Sequence, residues 1–102
     1  MPEPTINQLN QIKSWPDDDL QGLMAFIKPM WEYADSGYWE ENADRTEFIL
    51  HTAGWSDNEE IIECMQLNVV WWLMFWQSST RGGHFSFVGK DVTFPSQTFE
   101  GF

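Results

Sequence analysis

The chain is poor in cysteine, in positive charge and in long apolar runs, and each shortage closes off a class of protein. One cysteine, Cys64, excludes an internal disulfide and a cysteine-built zinc cage within the chain. Five Lys and Arg among 102 residues are too few to neutralise phosphates, so free nucleic acid is a poor partner. An anionic membrane is disfavoured on the same ground of sign. The longest apolar run, Val69 to Trp76, spans eight residues, far short of the roughly 20 that cross a bilayer. The stretch MPEPTINQLNQIKSW has no apolar core behind a positive cluster, so no secretory leader and a cytoplasmic location are expected.

Acids and aromatics are what the chain has in quantity. Sixteen Asp and Glu leave a formal charge of −11, while seven Trp, eight Phe and two Tyr bring aromatics to 17%. That apolar area offsets chain entropy, which disordered acidic chains fail to do. The length suits one domain. The charge is segregated. Residues 1–31 carry a net −2 and residues 64–102 a net zero, whereas residues 32–63 carry ten acids and a single base, Arg45. The ten are Glu32, Asp35, Glu40, Glu41, Asp44, Glu47, Asp57, Glu59, Glu60 and Glu63.

Periodicity and punctuation predict an α+β domain, with helices packed on one face of a small antiparallel sheet. Residues 1–31 read as helical, 37–89 as a mixture of strand, helix and hairpin, and 90–102 as a Pro-broken tail. Thr5 and Gln8 fit a capping box, with Ile6, Leu9 and Ile12 on one face. Ser14-Trp15-Pro16 breaks that helix, and a second begins near Asp17, where Asp17 to Asp19 suit its dipole. Leu20, Leu23, Met24 and Ile27 make its apolar stripe, and Pro29 ends it. Gly37 to Trp39 and Thr46 to Thr52 read as strands, Phe48 and Leu50 facing inward. Ser56 with Glu59 suggests a second capping box for a helix from Asp57 to Leu67, its Ile61, Ile62 and Met65 inward. Val69 to Trp76, rich in β-branched and aromatic residues, reads as a central strand covered on both faces. Ser78 to Gly83 reads as a turn and His84 to Val88 as the returning strand.

Catalytic constellations are weak. Cys64 lies among Ile61, Met65 and Leu67, the setting of a buried, inert thiol. His51, His84 and a carboxylate such as Glu47 lack metal-ligand spacing, and no phosphate loop or nucleophile elbow is present. No metal, no cofactor and no enzymatic activity are expected. One anion site is conceivable, from Ser56 and Asn58 at a helix start with Arg81 and His84 in a turn. Its ordinary alternative is purely structural: caps, glycine turns, and Arg81 paired with Glu59 or Asp57.

The strings GWSDNEEII and SSTRGGHFSF, with paired Trp between them, resemble a family of small uncharacterised phage and prophage proteins. The shared pattern, GW-S-x-N-E followed by W-x-x-x-W and GGH-aromatic-x-F, covers Arg45 to Val88. The resemblance implies no activity; it implies a mobile-element origin, where small acidic proteins antagonise host defence. Taken with the charge segregation, it suggests a non-enzymatic inhibitor of anti-CRISPR type. Such a protein would dock as a DNA mimic on the basic surface of a CRISPR effector or nuclease and block DNA access. The candidate contacts are Glu32, Asp35, Glu40, Glu41, Asp44, Asp57, Glu59, Glu60 and Glu63, with Tyr38 and Trp39 as apolar anchors. The alternatives are a small anionic-ligand binder or minor enzyme using Ser56, Asn58, Arg81 and His84, and a homodimer joined through aromatic strands.

Overall fold

The structure, a computed structural model, describes residues 4–89; the tail read at 90–102 lies outside them. The order of elements is α1 (Ile6–Lys13), α2 (Leu20–Ile27), β1 (Trp39–Glu41), β2 (Glu47–His51), α3 (Ser56–Leu67), α4 (Val69–Phe75), β3 (Trp76–Thr80) and β4 (His84–Val88). Short 3₁₀ turns follow α2 at Lys28–Met30 and Ala34–Ser36. The strands form one antiparallel sheet in the order β1-β2-β4-β3. The α+β expectation holds.

Local signals explain the first two helices. Thr5 accepts the Gln8 amide and Gln8 reaches back to the Thr5 amide, completing the capping box. Leu9 and Ile12 are buried, but Ile6 is 76% exposed and leaves the predicted stripe. Asp19, not Asp17, caps α2 by accepting the Gly22 amide, so Asp17 and Asp18 stay in the preceding turn. Leu20, Leu23, Met24 and Ile27 are all buried, and Pro29 converts the end of α2 into a 3₁₀ turn.

The two faces of the sheet differ in chemistry. Register aligns Trp39 with Leu50, Leu50 with Phe85, and Phe48 with Phe87. These side chains point one way, and Phe48, Leu50 and Phe87 have no exposed surface. The residues between them, Glu40, Glu47, Ile49 and His84, face away and are exposed. Trp71 of α4 packs on Phe87 at 5.7 Å between ring centroids, and Trp72 on Phe85 and Phe87. The buried indoles keep hydrogen-bond partners: Trp71 donates to the Asp19 carbonyl at 3.1 Å and Trp31 to that of Tyr38 at 3.0 Å.

Three sequence-based expectations give way here. Val69 to Phe75 is helix, and only Trp76 enters a strand. Spacing of four places Trp71 over Phe75 and Trp72 over Trp76, and the run leaves Val69, Val70, Leu73 and Met74 in solvent. Tertiary continuation from α3 outweighs β propensity. At the junction, Asn68 is buried and its amide donates to the carbonyls of Ile12 and Trp15 at 3.1 and 3.0 Å. Secondly, α3 has no Ser56 capping box. Trp55 is its N-cap, without a side-chain bond, because the helix starts one residue earlier and Ser56 is already inside it. Thirdly, Ser78 to Thr80 is strand rather than turn. Arg81, Gly82 and Gly83 turn the chain alone, both glycines at positive φ, while the Ser78 hydroxyl bonds that of Ser86 across the strands at 2.7 Å.

Candidate interaction surface

The acidic residues occupy two neighbourhoods. Glu40, Glu41, Asp44 and Glu47 belong to the β1–β2 hairpin, whose loop is organised by Asn42. That side chain accepts the amides of Thr46 and Glu47 at 2.8 and 3.0 Å. Glu40, Glu41 and Glu47 then line one shallow cavity of about 230 Å³ with Asn42 and Ile49. Asp57, Glu59, Glu60 and Glu63 lie on α3. The first two stand in its opening turn, where the dipole favours them. Glu59, Glu60 and Glu63 are exposed, opposite the buried Ile61, Ile62 and Met65.

Ion pairing among the described residues touches only one neighbourhood. Among the described residues, thirteen acids face four Lys and Arg. Lys28 and Arg45 both pair with Glu41, at 3.6 and 3.5 Å. His51 Nε2 lies 2.8 Å from Glu40. No ion pair among the described residues reaches Asp57, Glu59, Glu60, Glu63 or Arg81. The row on α3 therefore projects its field into solvent with no ion-pair partner among the described residues. Asp35 lies near Lys28, Glu41 and Arg45 around a hollow of about 510 Å³.

The expected aromatic anchors need correction. Tyr38 is half-buried, but Trp39 is only 6% exposed and bonds Glu41 through its indole, because the β1 register turns it onto the helix-covered face. The accessible rings near these acids are Tyr33 and Trp55, 5.1 Å apart between centroids, with Tyr38 edge-on to Tyr33 at 6.0 Å; Trp76 is exposed on β3 instead. In sequence Tyr33 follows Glu32, Tyr38 precedes the hairpin acids and Trp55 precedes those of α3. No local sequence signal marks these rings; Tyr33 and Ala53 take positive φ, a conformation their residue types do not advertise.

The four residues of the anion-site idea are not brought together by hydrogen bonds. Ser56 and Arg81 are exposed, whereas Asn58 is wholly buried with its side chain engaged by the Glu32 backbone. His84 meets His51 through their Nδ1 atoms. The cavity between α3 and the β3–β4 turn, about 280 Å³, is lined by Thr52, Glu59, Ile62, Glu63, Gln66, Gly83 and Phe85. Two carboxylates and no cation line it, the wrong sign for an anion.

Cys64 is buried, and burial pushes its thiol up from the ordinary 9.0; Lys13 opposes the shift, while Glu60 and Glu63 add to it. No helix among the described residues is long and apolar enough to cross a membrane. No protein-family model, curated protein or solved structure matches the chain.

Proposed function

We propose that this protein is a non-enzymatic acidic inhibitor that docks on a Lys- and Arg-lined nucleic-acid-binding surface. The carrying observation is the row Glu59, Glu60 and Glu63 on α3, solvent-facing and without an ion-pair partner among the described residues. Carboxylates in that state repel one another, a cost relieved when a basic surface meets them. The β1–β2 hairpin supplies a second acidic contact through Glu40, Asp44 and Glu47, and Glu32 and Asp35 add to it. Tyr33, Trp55 and Tyr38 supply the apolar contact, since aromatic side chains concentrate binding energy at interfaces. The resemblance to small phage proteins supports a target in host defence, a CRISPR effector or related nuclease, met in the cytoplasm of the infected cell.

The test is displacement of duplex DNA from a purified CRISPR effector, at about 50 mM and about 500 mM salt. Displacement is expected at low salt and largely lost at high salt. Reversing Glu59, Glu60 and Glu63 to Lys should weaken it roughly tenfold or more. A matching reversal of Glu40, Asp44 and Glu47 reports the hairpin's share. Undiminished displacement by both reversed proteins, or none by the native chain across effector types, rejects the reading.

A further inference from the structure

We propose that His51 and His84 form a surface site for a divalent late-transition-metal ion, Zn2+, Ni2+ or Cu2+, held through their two Nδ1 atoms. The residues are 33 apart in sequence and directly opposite in β2 and β4. The bond from the Thr52 amide to the Gly83 carbonyl, 2.9 Å, flanks them. They are therefore a non-hydrogen-bonded pair, the kind in which facing side chains approach most closely. Their rings meet edge-to-face, 4.5 Å between centroids and 77° between planes, with the Nδ1 atoms in contact.

Each ring is oriented by a different neighbour. Glu40 lies 2.8 Å from Nε2 of His51, and a carboxylate only accepts, so that nitrogen carries the proton. Nδ1 of a neutral His51 is left with its lone pair toward His84. The Nε2 of His84 lies on the turn side, where a Cβ on Gly82 would stand 3.3 Å away, so its Nδ1 points at the same spot. Carboxylates behind metal-bound histidines fix their tautomer and raise their basicity, and Glu40 stands in that place. Glu40 is not a ligand itself. It holds the opposite nitrogen, and among the described residues no three His, Cys, Asp or Glu side chains gather around one point. His84 is exposed, so water can fill the remaining coordination positions.

Two nitrogens on one tetrahedral ion lie roughly 3.3 Å apart, given metal–nitrogen bonds of about 2.0–2.1 Å. Small side-chain rotations reach that spacing from a pair already in contact. Without an ion, His84 donates its Nδ1 proton to His51; on binding, that proton moves to Nε2 of His84 and both rings stay neutral. Imidazole selects Zn2+, Ni2+ or Cu2+, whereas Mg2+ and Ca2+ prefer oxygen. That preference separates this site from the carboxylates around it.

Calorimetric titration of the full chain with Zn2+ and with Ni2+, in excess Mg2+, tests the site. One saturable event is expected, together with movement of the His51 and His84 imidazole ¹⁵N resonances. His84→Ala, at an exposed position, should lower affinity at least tenfold, and His51→Ala likewise. Glu40→Gln should weaken binding roughly 10- to 100-fold without abolishing it. Absence of saturable binding, unchanged affinity in His84→Ala, displacement by Mg2+, or unmoved imidazole resonances overturns the proposal.

Discussion

Asn58 holds the backbone of Glu32: its carboxamide oxygen accepts the Glu32 amide at 2.8 Å, and its nitrogen donates to the Glu32 carbonyl at 3.4 Å. This clasp ties α3 to the loop that carries Tyr33, and Asn58 has no exposed surface. Asn58→Ala leaves the Glu32 amide without its partner. The expected cost is about 2 kcal/mol, read as a fall in Tm of roughly 10 °C. Circular dichroism melting checks it, and an unchanged Tm would mean that water replaces the asparagine at no penalty.

Gly83 and Gly37 both take positive φ, +83° and +95°, yet only Gly83 is crowded. A Cβ there would sit 2.1 Å from the hydroxyl of Thr52, a residue only 2% exposed, while nothing lies within 4 Å at Gly37. Gly37→Ala should cost the backbone penalty alone, about 1–2 kcal/mol. Gly83→Ala should cost clearly more. Urea midpoints for the two variants give the ranking, and equal values would show that the Thr52 contact yields freely.

Glu63 stands four residues after Glu59 on the exposed side of α3. Like charges at this spacing destabilise, and a Glu followed four places on by Lys stabilises. Glu63→Lys should therefore raise stability by about 0.5 kcal/mol at low ionic strength. The gain should shrink as salt screens the row. Urea unfolding at two salt concentrations checks both the sign and the screening.

Cys64 should resist alkylation in the folded protein near neutral pH and react promptly once unfolded. Its thiol is raised above 9.0 chiefly by burial. The folded chain thus keeps a proton at a pH where the unfolded chain has lost it. This contribution is whole below about pH 9 and is lost as pH climbs through the folded value. Cys64→Ala should flatten the alkaline end of the stability–pH curve, measured by denaturant unfolding between pH 8 and pH 11 (roughly the window in which thiols and their raised forms titrate).

How far the sequence speaks depends on how local each signal is. Leu20, Leu23, Met24 and Ile27 with Asp19 before and Pro29 after form a self-contained message, and α2 follows it closely. The run from Val69 has no period because it is apolar throughout, so propensity pointed to a strand. It is helix as a continuation of α3, and Asn68 at the junction is bonded to carbonyls 56 and 53 residues away, a tie that no window of sequence contains. The surface follows the same logic. The carboxylates could be counted in advance, but which aromatics reach solvent depends on the pairing of Trp39 with Leu50. Likewise, 33 residues of chain conceal that His51 faces His84, since only strand register joins them.

The outer side of α4 shows Val70, Leu73 and Met74 to water, and the adjoining β3 is an edge strand with every residue exposed. Two such molecules have every chemical reason to stick, sheet margin to sheet margin and oil to oil. Mutual repulsion between anionic particles opposes that association. Near pH 4.2, where that charge vanishes, the protein should leave solution as a precipitate, so its colloidal tolerance of a greasy flank is conditional on acidity of the medium.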